Sequence, residues 1–441
     1  MDARTNDQNR QPALRDRLDA LREEMARQEL DGFLVPRADA HQGEYVSPHD
    51  ERLAWLTGFG GSAGMAVVLS DRAALFVDGR YTLQAADQVD GDRYAIEHLV
   101  ETPPSEWLAR HAPEGGRIGF DPWLHTEDGA ARIEAGCKRA GAEAVPVDTN
   151  PLDAVWADQP DPPSAAVQVH PVEYAGRDSA DKRAAIAAEL TEKTVDAAVL
   201  TLPDSIAWLL NIRGGDIPRT PVALFFAILR ADDSVTLFVD PGKVDEALRS
   251  HLGADVDLRT PEEFAPALAG LADKRVLADP AWSARWVFDR LRDAGAEIIR
   301  ESDPCQLPKA CKTEGELAGT RAAHRRDGLA LTRFLAWLAR EAPSGGLTEM
   351  AAVDRLEAFR REDGLFRDLS FDTISGAGPN GAIVHYRVTE ATNRPLEPGS
   401  LYLVDSGAQY PDGTTDVTRT IAIGPSTPDM RRHFTLVLKG H

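Results

Sequence analysis

One order of segments occurs twice in this chain, and it constrains the fold more than any single motif. In the first copy an amphipathic helix, with Leu14, Leu18, Leu21 and Met25 at helical spacing, leads into the strand-like DGFLVP. Leu53-Ala54-Trp55-Leu56, the Gly-rich turn GFGGSAG and a hairpin-like pair, MAVVLS and RAALFVD, follow. In the second copy DKRAAIAAELTEKTVD reads as the helix and DAAVLTLP as the strand. Ile206-Ala207-Trp208-Leu209, NIRGG and the pair VALFFAILR and SVTLFVD then complete it. Trp55 and Trp208 are 153 positions apart, whereas Asp78 and Asp240 are 162 apart, which fits a nine-residue insertion between Trp208 and its strand pair. The expectation is two copies of one mixed α/β domain.

A chain of 441 residues is too long for one core, so a third domain is expected after the repeats. Four prolines before Val172 mark 157–171 as a linker, and the second copy ends near Ser302. A bridge, DPCQLPKACKTEG, leads into a long helix whose Leu317, Leu331, Phe334, Leu335 and Leu338 form an apolar face, stopped by Gly345-Gly346. A further helix, LTEMAAVDRLEAFRRE, precedes the strand-like runs LSFDTISGAG, AIVHYR, LYLVDSGAQY and TTDVTRTIAI. The third segment therefore reads as helices followed by an antiparallel sheet.

A net charge of −22 would repel phosphate, so nucleic acid is excluded as a partner. The same charge fits a solvated acidic surface or the attraction of cationic substrates. No apolar run approaches the ~18 residues of a membrane span; Val222–Leu229 suits a buried strand instead. MDARTNDQNRQ lacks the layout of a secretory signal. Cys137, Cys305 and Cys311 form neither a disulfide framework nor a zinc pattern. A cytoplasmic location without membrane partners is the expectation.

Chemistry is concentrated in LYLVDSGAQYPDGTTDVTRT, residues 401–420. Asp405 ends an apolar run, and a carboxylate there is costly unless it is paired or binds a metal. PDG at 411–413 signals a turn, so the flanking runs should pair as a hairpin. An even loop would put Asp405 and Asp416 on one face, opposite or one diagonal apart, with directly opposite Cβ atoms ~4.5–5.5 Å apart. That geometry suits two metal ions ~3.5–4 Å apart. An odd loop would put the two on opposite faces. The competing reading is that Asp405 ends the strand and Asp416 caps locally. His385, in an apolar run, reads from its surroundings as a hydrogen-bonded core residue, and Arg80 as one half of a surface ion pair.

FDTISGAGPNGAIVHY followed by LYLVDSGAQYPDGTTDVTRT resembles the catalytic domain of the Xaa-Pro aminopeptidase (aminopeptidase P) family, peptidase family M24 of the creatinase, or pita-bread, superfamily. DGRYTLQAADQV, AWLLNIRGGDIPRTPV and LPKACKTEGELAG are similar to its long, three-domain form. The resemblance implies creatinase N-terminal-like domains at 12–158 and 165–302 and the start of a pita-bread metallopeptidase domain at 310–441. It implies a centre of two ions, usually Mn2+, held by Asp, Asp, His, Glu and Glu, so that Asp405 chelates one ion and Asp416 bridges both. A metal-bound hydroxide would attack the N-terminal Xaa-Pro bond of peptides with proline at position 2. His385 matches a catalytic-domain histidine that contacts the peptide around the scissile bond, and Arg80 matches a first-domain arginine that helps bind the peptide. His324, His433, Asp372 and Arg419 are given no role.

In the resembled family the metal-binding His and two Glu lie downstream of FTLVLKGH, where this sequence stops at His441. The expectation is a C-terminally truncated fragment, inactive alone, whose complete form is a homodimer. A prolidase-type dipeptidase is disfavoured by the duplicated N-terminal domains, and creatinase by the Asp pair. A non-catalytic pita-bread peptide-binding pseudoenzyme is the alternative from outside catalysis.

Overall fold

The computed structural model describes residues 3–441, with side chains from Leu14 onward. The chain divides into two compact units, the first ending at Lys312 and the second spanning Thr313–His441. Among the described residues no helix is long and apolar enough to cross a membrane.

In the first unit each copy of the repeat builds one six-stranded sheet. The first sheet contains β1 (Gly32–Pro36), β2 (Met65–Leu69), β3 (Ala73–Val77), β4 (Ala95–His98), β5 (Arg117–Phe120) and β6 (Glu143–Pro146), in the order β4-β3-β2-β1-β5-β6. Then come β7 (Gln168–Val169), β8 (Ala197–Leu200), β9 (Ile212–Arg213), β10 (Phe226–Arg230), β11 (Val235–Phe238), β12 (Val256–Arg259), β13 (Arg275–Ala278) and β14 (Glu297–Arg300). The second sheet runs β12-β11-β10-β8-β13-β14, the same topology, while β7 and β9 form a separate pair. Each sheet has an antiparallel centre, β1-β2-β3 or β8-β10-β11, with parallel strands added outside it.

The unbroken apolar runs have a geometric reason. Along β1, Phe33 and Val35 pack into one cluster with Met25, while Leu34 packs into another with Trp107 and Ile133. Along β8, Ala198 and Leu200 face one cluster, and Ala197 and Val199 the other. A sheet covered on both faces needs apolar side chains at both parities, so the strands do not alternate. The expected strand at Val222–Leu229 is only half formed, since β10 begins at Phe226. Asp216 Oδ2 accepts the Leu224 N–H at 2.7 Å, and Gly214 lies against Ala223, so this stretch is buried without a neighbouring strand.

The two copies are joined by specific contacts. Trp123 stacks on Trp286 with centroids 3.9 Å apart, and the buried Glu127 accepts from Arg300 Nη1 at 2.7 Å and also from Arg292. Beside them His125 is fully enclosed, and burial pushes its pKa down to about 3. Its folded pKa therefore lies below the unfolded value of about 6.5, so the unfolded chain takes up this proton first. Stability is lost as pH falls from about 6.5 towards 3. Urea titrations across that window should show it, and His125→Gln should remove about 1.4 kcal/mol per pH unit from the slope.

In the second unit Thr313 and Glu316 form a capping box that starts the helix Glu314–Glu341. Leu331, Phe334 and Leu338 bury its apolar face together with Leu356 and Phe359 of the helix Glu349–Arg361; Leu335 is partly covered. Two three-stranded antiparallel sheets follow. Their strands are β15 (Asp368–Leu369), β16 (Ile374–Ala377), β17 (Leu401–Ser406), β18 (Ala408–Tyr410), β19 (Gly413–Thr414) and β20 (Val417–Ala422), ordered β16-β17-β20 and β15-β18-β19. AIVHYR is not a strand, contrary to its apolar pattern. A 3-10 turn, Gly378–Ala382, folds the chain back so that Gly381 lies against Gly376, and the Tyr386 N–H closes a turn on the Ile383 carbonyl at 3.2 Å.

Candidate metal centre

β17-β18 and β19-β20 are the two arms of one hairpin. Tyr410 pairs with Gly413 around the two-residue turn Pro411-Asp412, and the same register continues to Asp405 opposite Thr418. The loop is therefore even, and Asp405 and Asp416 share a face one diagonal apart rather than directly opposite. An ion pair with Arg326 on the long helix holds Asp412.

Asp405 is half-buried, and its Oδ1 is enclosed with no hydrogen-bond partner among the described residues. Asp416 lies more openly between β19 and β20. Burial, then the neighbouring charge of Asp405 and a hydrogen bond between the two carboxyl groups, raise the pKa of Asp416. Two carboxylates this close repel one another unless a proton or a cation is shared. An unpartnered buried oxygen beside a second carboxylate fits a hard divalent cation, for which oxygen donors are the preferred ligands. Among the described residues no third His, Cys, Asp or Glu joins them in a group able to hold an ion.

Gly407 makes the hairpin's break between β17 and β18 possible. A Cβ there would overlap the Thr415 carbonyl oxygen and Ser370 Oγ. Gly407→Ala should cost about 1–3 kcal/mol through overpacking, read from urea unfolding.

Beneath the hairpin lies a buried polar cluster that sequence reasoning missed. Arg360, fully buried, donates from Nε to Asp327 Oδ1 at 2.8 Å and from Nη2 to Oδ2 at 3.1 Å. Arg360 Nη2 also reaches Ser406 Oγ at 3.1 Å, and the Tyr410 hydroxyl donates to Asp327 at 3.2 Å. Both arms of this cluster therefore touch residues next to Asp405 or at the end of β18.

Glu349 is the second missed residue. Its carboxylate, wholly buried in the first turn of its helix, accepts from Ala377 N at 2.6 Å, Asn380 Nδ2 at 3.0 Å, Arg394 N at 3.0 Å and Tyr386 Oη at 3.1 Å. It thereby anchors the segment that carries His385. His385 itself is half-buried in the turn after Ala382, with φ of 57°. It belongs to the same unit as the Asp pair but to a turn rather than to the expected strand.

Arg80 lies in the first unit. Asp78 Oδ1 accepts its N–H at 2.9 Å and its Nε at 3.0 Å, Asp78 Oδ2 accepts Nη2 at 2.7 Å, and Glu44 stands 3.7 Å away. His324 Nδ1 is 2.8 Å from the Thr320 carbonyl on the long helix, and His433 is exposed on the helix Pro428–Gly440.

Comparison with known proteins adds an independent line. The family described as Creatinase/Prolidase N-terminal domain matches residues 17–155, and a second family of that description matches 158–316. Metallopeptidase family M24 matches 318–441. The chain is 41% identical to a probable Xaa-Pro aminopeptidase P of Neosartorya fischeri, over 96% of its own length and 67% of that protein's. It is 40% identical to the one of Aspergillus niger, covering 71% of it. The X-prolyl aminopeptidase of Caenorhabditis elegans, described as a cytosolic enzyme with a di-nuclear active site, superposes with a TM-score of 0.91 at 33% identity, over 97% of this chain and 73% of that one.

Proposed function

Since the chain belongs to the Xaa-Pro aminopeptidase P family of M24 metallopeptidases, we propose that it removes the residue preceding proline from the N-terminus of peptides, using two divalent ions held in part by Asp405 and Asp416. The observation that carries this reading is the diagonal carboxylate pair, with its unpartnered Asp405 Oδ1 and the raised pKa of Asp416. Manganese suits an oxygen-rich donor set on hardness grounds. Bound there, the ions would supply Lewis acidity and an activated water at neutral pH. His385 contacts the peptide beside the scissile bond, on a segment that Glu349 keeps in place, and Arg80 binds the peptide from the first unit.

Two ligands do not complete a dinuclear site. The remaining ligands are proposed to lie in polypeptide outside these 441 residues, so that this chain alone is inactive. Support comes from the lack of a third ligand among the described residues. The helix Pro428–Gly440 points the same way: it buries no residue, and Phe434, Leu436, Val437 and Leu438 are each more than half exposed.

Release of arginine from Arg-Pro-Pro in the presence of Mn2+ tests both statements. The complete gene product is expected to cleave and to stop when the metal is chelated, whereas the 441-residue chain should not cleave. In the complete protein His385→Ala should lower kcat/KM about 100-fold, the lower range for a group acting directly at the reaction. Cleavage by this chain alone would overturn the inactivity, and no cleavage by the complete product would overturn the whole reading.

A further inference from the structure

Loops that follow β1, β8 and β13 at their carboxyl ends, with the segment before β10, line a cavity of about 450 Å3 wholly within the first unit, and Glu44 in its wall stands 3.7 Å from Arg80. In open α/β sheets this end of the strands is where ligands collect, and the volume is that of a small-molecule site. Tyr45 and Trp282 contribute to a largely apolar wall, and Trp282 keeps 43% of its surface exposed.

Asp39 stands out in that wall because it is only 2% exposed. Its Oδ1 accepts the N–H groups of His41 at 2.9 Å and Gly43 at 3.0 Å, which fixes the carboxylate's orientation. Its Oδ2 is enclosed and has no hydrogen-bond partner among the described residues. His41 does not compensate it: its ring stacks on Phe226 at 4.3 Å, and Nδ1 is 3.0 Å from the Thr201 carbonyl oxygen. Lys309, also in the wall, is paired with Asp204. A buried, oriented carboxylate with one oxygen unpartnered is costly as it stands, and a matching cation would remove that cost.

We propose that this cavity binds a small organic cation, an ammonium or amidinium group on an apolar body, with Asp39 Oδ2 meeting the charge and Tyr45 and Trp282 flanking the body. The overall charge of −22 favours the approach of such a ligand. Every residue lining the cavity belongs to the first unit, so binding can be tested on this chain as it is.

Benzamidine and phenethylamine, followed by saturation-transfer NMR and tryptophan fluorescence, are the probes, with neutral benzamide and anionic 3-phenylpropionate as controls. The two cations should bind and the controls should not. Asp39→Asn preserves Oδ1 as acceptor and should weaken binding about 10- to 100-fold, the range of one charge-assisted hydrogen bond. Thr220→Phe, which fills the cavity from its wall, should abolish binding while Asp39 is untouched. Far-UV CD and melting curves establish that both variants are folded. Tripeptide Phe-Gly-Gly binding as well as phenethylamine would name peptide N-termini as the source of the same cationic group. The proposal is overturned if no cation binds at about 10 mM, if benzamide binds as tightly as benzamidine, or if Asp39→Asn binds both cations unchanged.

Discussion

Arg360→Ala is expected to destabilise the second unit by about 3–5 kcal/mol, the cost of leaving one member of a buried ion pair alone. Asp327 would then be a buried carboxylate that keeps only the Tyr410 hydroxyl among the side-chain donors described here. The same substitution releases Ser406, whose hydroxyl accepts from Arg360, and thereby loosens the strand that ends beside Asp405. Removing both charges should cost much less. Arg360 Nη1 has no partner among the described residues, so the pair is not fully satisfied even when intact, and apolar replacements of similar volume often restore such sites. A double-mutant cycle with Arg360→Met and Asp327→Leu, read by urea unfolding, checks this. Hydrogen exchange at the Asp405 and Ser406 amides should speed up in the single variant. If Arg360→Ala costs under about 1 kcal/mol, the usual scale of an exposed pair, the cluster does not support the hairpin.

Asp416→Asn should act in opposite directions with and without divalent metal. The raised pKa of Asp416 means that the folded chain holds this proton more tightly than the unfolded chain, whose carboxyl titrates near 3.9. Stability contributed by the protonated form is therefore present below the unfolded pKa and lost as pH rises through the folded one. Replacing one carboxyl group by an amide removes the crowding of two acids at this site, so the metal-free variant should be more stable than the parent at neutral pH. The gain should stay below about 1 kcal/mol because Asp416 is largely exposed. With metal the sign reverses. A ligand at 100 times its Kd stabilises by about 2.7 kcal/mol, and any such Mn2+-dependent rise in Tm should vanish in Asp416→Asn. In any form of the protein that shows the proposed activity, kcat/KM should fall at least about 100-fold, the upper range for disturbing a residue merely behind the ligands. An unchanged metal-dependent Tm would remove Asp416 from the centre.

Segments whose burial follows a local period were readable from the sequence. The repeat was legible because both faces of each sheet are covered, which leaves runs such as AALFV and the matching helices visible in each copy. The hairpin was legible because Pro411-Asp412-Gly413 signals a turn, but the parity that sets the faces of Asp405 and Asp416 was open until the register showed an even loop. AIVHYR misled because an apolar run does not say whether a partner strand exists, and a Gly376–Gly381 approach turned it aside. Arg360 and Glu349 were invisible for a different reason. Charged residues in helices usually face water, and only distant partners, Asp327 for one and Asn380, Tyr386 and Arg394 for the other, make their burial tolerable. Asp39 likewise gains its setting from loops of both repeats.

The turn that presents Arg80 has a counterpart in the second copy. After β3, Asp78 accepts the N–H two residues on, at 2.9 Å, and that residue is Arg80; after β11, Asp240 does the same at 2.7 Å, and that residue is Gly242. The same aspartate hydrogen bond shapes both turns, although the residue it holds differs. One duplicate displays a guanidinium there and the other a bare backbone. Duplication has thus left the protein with two turns built on the same aspartate, and at Gly242 a side chain would crowd that aspartate, since a Cβ there would stand 3.2 Å from Asp240 Oδ1.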